Sequence, residues 1–197
     1  MKITSAKFVG SSATVSGKPA ARLPEFAFIG RSNVGKSSLI NCLCSNSRLA
    51  LISSKPGKTR TANHFLINDS WYLVDLPGYG FAKAPQKERE TIESVIRDYL
   101  NHSQELHELF VLIDSRHDLI SSDADFLREV GGSDIPFSII FTKADKSGPV
   151  ACRKQVDSIL NQIETVIGTK PTHFICSSLK GTGREEILAH ISLQLSK

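Results

Sequence analysis

Eight residues near the start of the chain, Gly30, Arg31, Ser32, Asn33, Val34, Gly35, Lys36 and Ser37, have the types and spacing of a phosphate-binding P-loop, G-x-x-x-x-G-K-[ST]. The two glycines let the backbone close around a polyphosphate, because neither carries a side chain that holds it off. Successive N–H groups then point inward, and the start of the following helix adds its partial positive charge. Lys36 is suited to reach the β- and γ-phosphates, and Ser37 to give its hydroxyl to a magnesium ion. The surroundings agree: an apolar run, Phe26 to Ile29, precedes the loop, and a helix-like run, Ser38 to Leu43, follows it.

Four further segments supply what a nucleotide site needs beyond a phosphate cradle. Asp75, Leu76, Pro77 and Gly78 end one strand-like run. An Asp there holds magnesium through water, and the Gly78 N–H bonds a γ-phosphate only while that phosphate exists. Thr142, Lys143, Ala144 and Asp145 fit [NT]-K-x-D and end another run. Asp145 can accept hydrogen bonds from N1–H and the exocyclic amino group of guanine, while the Lys143 stem lies along the base plane. Adenine lacks the amino group and turns an acceptor toward the carboxylate, so a site of this kind discriminates strongly. Cys176, Ser177 and Ser178 end the last run, where backbone N–H groups can reach guanine O6. Between the P-loop and Asp75 lie Gly57, Lys58, Thr59, Arg60 and Thr61. Thr59 is the favoured threonine for completing the magnesium shell and sensing the γ-phosphate, with Thr61 its competitor.

Lys36, Thr59 and Gly78 are therefore the candidate catalytic contacts, and no side chain stands out as a general base. Each short segment, taken alone, also reads as an ordinary turn; their order along the chain is the stronger observation. Two other classes fit the P-loop by itself: an ATP-dependent kinase or ATPase, and an RNA-binding module with a non-catalytic nucleotide pocket. Asp145 argues against the first. Basic residues at Lys55, Lys58, Arg60, Lys83, Lys87 and Arg89 make an RNA contact plausible but are too dispersed to establish one.

The elements that must position these residues are legible in the hydrophobic pattern. Residues 1–24 read as an N-terminal arm with a weak strand signal from Ile3 to Val9, and residues 25–197 as one nucleotide-binding domain. His64–Ile67 and Trp71–Asp75 form a hairpin signal around Asn68, Asp69 and Ser70. Ile92, Val95, Ile96, Tyr99 and Leu100 repeat as one face of a helix from Gln86. Leu109–Ile113, Phe137–Phe141 and Thr172–Cys176 read as buried strands. Helical patterns separate and follow them, the first expected to be capped by Ser121 or Ser122. Strands alternating with helices predict a three-layer α/β fold: a mostly parallel six-stranded sheet, one strand antiparallel, with helices on both faces.

Composition narrows the class further. The chain has 197 residues, 40% hydrophobic and 22% charged, with a formal net charge of +4. That size suits one α/β domain. No apolar run approaches the roughly 18–20 residues that span a bilayer, and no signal peptide is evident, so a cytoplasmic protein without a membrane is expected. The four cysteines show no metal-ligand spacing and are expected to be buried, reduced thiols.

The motifs resemble those of the translation-factor-like GTPases, and more narrowly the EngB family of bacterial GTPases. The narrower resemblance rests on residues 30–41, 53–59, 75–82, 142–146 and 177–183 and spans nearly the whole chain. It implies a monomeric, magnesium-dependent GTPase that cycles between GTP and GDP. It also implies a role in assembling the large ribosomal subunit, with rRNA as a partner, and a requirement for normal cell division and septation. Small GTPases of the Ras type place a water-orienting Gln directly after D-x-x-G; here the residue is Tyr79. Slow intrinsic hydrolysis is expected, helped by a partner, another side chain or a monovalent cation. Asn33 is the kind of residue that helps related GTPases bind potassium. Thr142 stands where Asn is commonest, and is expected to tie the loops together less tightly.

Overall fold

Every residue of β2 (Glu25–Gly30) is buried. Its side chains alternate, with Ala27 and Ile29 facing one core and Phe26 and Phe28 facing the other. A strand covered on both faces has no polar face to show, which is why the run is continuously apolar. The computed structural model describes residues 1–50, 60–80 and 85–196.

Around β2 lies a seven-stranded sheet: β1 (Ala6–Ser12), β3 (Ala62–Ile67), β4 (Trp71–Asp75), β2, β5 (Leu106–Asp114), β6 (Phe137–Thr142) and β7 (His173–Ile175), in that spatial order. Only β3 runs against the rest, pairing antiparallel with β1 and β4; the pairs from β4 to β7 are parallel. The single antiparallel strand is as expected. The count is seven instead of six because the arm supplies β1, an edge strand whose exposed residues gave little hydrophobic pattern. The β3–β4 turn has Asn68 at φ 49° and Asp69 at φ 52°. Two left-handed central residues are what a two-residue turn needs to match strand twist, and Asn and Asp tolerate that region.

Helices α1 (Lys36–Leu43) and α5 (Arg184–Gln194) cover one face with Leu39, Ile40, Leu43, Ile187, Leu188 and Ile191. Helices α2 (Gln86–His102), α3 (Ser121–Gly131) and α4 (Pro149–Ile167) cover the other. The cap of α3 is not a serine: Ile120 occupies that position, and Ser121 and Ser122 are already helical. The chain leaves β2 toward β4 on one side and later returns to β5 on the other. This reversal opens a crevice at the carboxyl ends of the strands, where open α/β sheets bind ligands.

The opposite end of the sheet holds the arm in place. Asn68 accepts the N–H groups of Thr4 and Ser5 at 2.7 and 3.1 Å and donates to the Lys2 carbonyl at 2.9 Å. Lys18, almost fully buried, reaches Glu25 at 2.8 Å and Glu105 at 2.9 Å. Glu25 also accepts the Tyr99 hydroxyl at 2.5 Å and the Ser103 hydroxyl at 2.8 Å. Hydrogen bonds from Lys18 and then Arg22 hold the Glu105 carboxyl down at about 2.

Lys18→Met should therefore destabilise the fold by about 3 kcal/mol, since it strands buried carboxylates without their cation. A carboxyl held low in the native state stabilises fully above its unfolded value of about 4.5 and loses that contribution as pH falls toward 2. Urea unfolding followed by fluorescence of Trp71, the single tryptophan, should show this acid loss in the parent and a shallower one in the variant.

Candidate nucleotide site

The P-loop leaves β2 at Gly30, beside Leu112 of β5. A Cβ on Gly30 would lie 2.9 Å from both the Leu112 Cβ and its carbonyl oxygen, so only glycine passes here. The loop then turns through Asn33 at φ 63° and Gly35 at φ 107°. The first helical bond of α1 is from the Leu39 N–H to the Gly35 carbonyl, at 2.9 Å. The N–H groups before it, from Gly35 to Ser38, have no helical acceptor and no backbone acceptor among the described residues, which suits an anion.

With the N–H groups turned inward, the loop's carbonyls turn outward and need donors. The Thr142 hydroxyl donates to the Val34 carbonyl at 2.6 Å, and the Lys143 ammonium to the Asn33 carbonyl at 2.6 Å. Thr142 therefore does form a short tie from β6 to the P-loop. Lys143 itself sits at φ 63°, and its ammonium also meets Asp114 at 2.9 Å. Arg116 grips the same carboxylate at 2.9 and 2.8 Å. Burial pushes the Asp114 carboxyl up, but hydrogen bonds from Arg116 and Lys143 outweigh it and hold the group well below the usual carboxylate range.

Asp75 ends β4, paired with Phe28 of β2. Its buried carboxylate contacts the Lys36 ammonium directly. Burial alone pushes Lys36 down to about 7. Three residues after Asp75, Gly78 packs on the P-loop backbone: a Cβ there would stand 2.7 Å from the Gly30 carbonyl oxygen. Leu76 and Pro77 between them are buried and give the site spacing, not polar contacts. Tyr79 is not aimed as a substitute for a water-orienting amide. Its ring stacks on Phe126 of α3 at 4.4 Å, and its hydroxyl donates to Asp123 at 3.0 Å.

The candidate base-reading loop is locked to the last strand. The Ala144 N–H donates to the Cys176 carbonyl at 3.1 Å, and the Cys176 N–H to the Phe141 carbonyl at 2.8 Å. Asp145 receives the Ser177 hydroxyl at 2.7 Å, which draws its carboxyl below the ordinary value and fixes one oxygen. The three residues expected to serve guanine O6 divide unequally. Cys176 spends its N–H on Phe141, and Ser177 donates its own to the Thr182 carbonyl at 3.1 Å, leaving the Ser178 N–H. The turn depends on Gly183, at φ 77°, where any Cβ would overlap the Ile175 carbonyl.

Not every candidate joins this cluster. Arg31 lends its backbone to the P-loop, but its guanidinium turns away to Asp123 at 3.0 Å. Arg60 pairs with Glu88 of α2 at 2.9 Å, and the Thr61 hydroxyl faces Asn63 at 3.4 Å. Gly57, Lys58 and Thr59 lie outside the described residues. Asp114, Arg116 and Asp123 escaped the sequence reading. Asp114 carried a usable signal, since it closes β5 at the same sheet edge as the other candidates; Asp123, in mid-chain on a helix, carried none. The side chains present fit magnesium, which prefers few protein ligands and hard oxygens. Ser37 lies in the first turn of α1, next to Lys36, which touches Asp75.

Known proteins resemble this chain in sequence and in fold. A family model described as a 50S ribosome-binding GTPase matches residues 25–143. The probable GTP-binding protein EngB of Phocaeicola vulgatus is 50% identical over 191 residues, covering 97% of this chain and 96% of the relative. The protein of the same name from Bacteroides thetaiotaomicron is also 50% identical over 191 residues, covering 97% and 95%. The crystal structure of a probable GTP-binding protein engB has a TM-score of 0.69 at 22% identity, covering 87% of this chain and 98% of that one. Era, solved with MgGDPNP and nucleotides 1506–1542 of 16S ribosomal RNA, has a TM-score of 0.66 at 23% identity, covering 86% of this chain and 55% of that one. At these identities the two structures show the fold, while the close relatives and the family model show the lineage. The chain belongs to the EngB family of P-loop GTPases, which bind GTP and hydrolyse it.

Proposed function

We propose that this GTPase is a magnesium-dependent molecular switch acting in assembly of the large ribosomal subunit, and through it in cell division and septation. The observation that carries the switch reading is the packing of Gly78 on Gly30, which brings the D-x-x-G turn onto the phosphate cradle. A γ-phosphate held by the P-loop meets the Gly78 N–H there, and a diphosphate does not. Lys36 exchanges one anion for another as nucleotide enters: the phosphates replace the Asp75 carboxylate, which is then free to orient magnesium-bound water. Ser37 gives its hydroxyl to the same ion, and Thr59 is the expected second threonine. When bound, magnesium supplies charge neutralisation at the β- and γ-phosphate oxygens.

The ribosomal part of the reading is supported by the description of the matching family model, and by the rRNA bound to Era. A net charge of +4 is compatible with an RNA partner. No helix among the described residues is long and apolar enough to cross a membrane. A monomer working in the cytoplasm is the simplest form of the proposal.

Asp145→Asn should cut GDP affinity by at least about tenfold, because the amide replaces one acceptor with a donor facing guanine's own donors. The same change should favour xanthosine diphosphate, whose C2 carbonyl accepts from the new amide; calorimetric titration of both nucleotides checks the pair of shifts. Co-sedimentation with ribosomal subunits should show binding to the large subunit with a GTP analogue and weaker binding with GDP. Equal binding in both states would sink the switch reading. The Asn33 side chain is exposed and has no protein partner among the described residues, which suits a cation beside the phosphates. Hydrolysis in the presence of ribosomal subunits should run faster in potassium than in sodium, and Asn33→Ala should erase the difference.

A further inference from the structure

Asp123 is 1% exposed, lies on α3, and has no part in the nucleotide contacts described above. One of its oxygens accepts both the Tyr79 hydroxyl and the Arg31 Nε–H at 3.0 Å, and the other lies 3.1 Å from the same Nε. These two partners come from the two loops that must cooperate over a γ-phosphate. Arg31 is the second residue of the P-loop, and Tyr79 directly follows Gly78. The backbones of Arg31 and Tyr79 are themselves bridged in parallel. The four contacts close a ring: P-loop backbone, Arg31 side chain, Asp123, Tyr79 side chain, and back through the bridge.

We propose that Asp123 is a positioning residue that fastens the D-x-x-G turn to the P-loop, so that the Gly78 N–H is preset for a γ-phosphate. The proposal rests on the GTP-switch reading and names a residue on which that switch depends.

Three features make the fastening strong. Asp123 is buried, so each lost partner leaves a poorly compensated charge. Burial raises its carboxyl, and the Arg31 charge and the Tyr79 hydrogen bond both oppose that rise, so both partners favour the charged form. Phe126, one helical turn after Asp123, stacks on the Tyr79 ring with the planes 15° apart, so the phenol is held by its face as well as its hydroxyl. The chain changes direction immediately beyond. Gly80 takes φ 78°, and a Cβ there would stand 3.3 Å from the Ser122 hydroxyl of the same helix. The fastened stretch therefore ends at a residue that needs glycine.

The consequence is specific to the third phosphate. Backbone groups of the P-loop hold a diphosphate without help from residue 78. Loosening the ring should weaken GTP and spare GDP. Tyr79→Phe keeps the stack on Phe126 and removes only the hydroxyl; Asp123→Asn keeps the shape and removes the charge.

The test is equilibrium binding of a non-hydrolysable GTP analogue and of GDP to the full chain, with thermal unfolding measured in parallel. In each single variant the analogue should bind about tenfold more weakly and GDP within about twofold of the parent. The double variant should lose little beyond the worse single, because both changes break one ring. Equal losses for both nucleotides, tracking a lower Tm, would make Asp123 merely structural and overturn the proposal. Unchanged affinity for both would overturn it too. Failure of the unaltered chain to bind either nucleotide would instead overturn the GTP reading beneath it.

Discussion

A loop that turns its N–H groups inward around an anion must turn its carbonyls outward, and those carbonyls need donors of their own. The candidate nucleotide site depends on how that requirement is met. Thr142 and Lys143 donate to the carbonyls of Val34 and Asn33. Both donors belong to the candidate base-reading segment, so the P-loop and that segment are parts of one hydrogen-bonded body. Asp114 and Arg116 extend it by fixing the Lys143 ammonium, and the Cys176 carbonyl by fixing Ala144. The body exists because β2, β5, β6 and β7 run parallel in that spatial order, which brings their carboxyl ends to one edge.

Close backbone approach is the second constraint. Gly30, Gly78 and Gly183 each stand where a Cβ would strike a carbonyl oxygen. Their absence of side chain, more than their flexibility, sets the distance between neighbouring loops. Charge is handled with similar economy. Lys36 and Asp75 are buried against each other, so neither is left as an isolated ion.

Stability and chemistry occupy opposite ends of the sheet. The buried cluster of Lys18, Glu25, Glu105, Tyr99 and Ser103 lies at the amino ends of the parallel strands and fastens the arm. The candidate nucleotide site lies at the carboxyl ends.

Much of this was legible in the residues. Periodicity placed the central strands because burial on both faces leaves a continuous apolar run, and the hairpin announced itself through Asn68 and Asp69, which accept left-handed backbone. Gly30, Lys36, Asp75, Gly78 and Asp145 could be named as candidates because phosphate, metal and base chemistry each demand a residue type at a fixed place in the order, and the fold gathers all five at one edge of the sheet. Packing was not legible in the same way. An exposed edge strand carries little pattern, so β1 became part of the sheet only through its pairing with β3. Tyr79 looked like a residue facing the nucleotide until α3 supplied Phe126 and Asp123 to hold it, and Arg31 looked like part of the cradle until the same carboxylate drew it aside. The linear sequence by itself determined which chemistry is possible, because motif spacing is local and its residue types are required by the ligand. Only the tertiary structure decided which polar groups are already spent on one another, because such partners lie as far apart along the chain as Lys143 and Asn33, 110 residues, or Arg184 and Cys42, 142 residues, and meet only when the sheet is assembled.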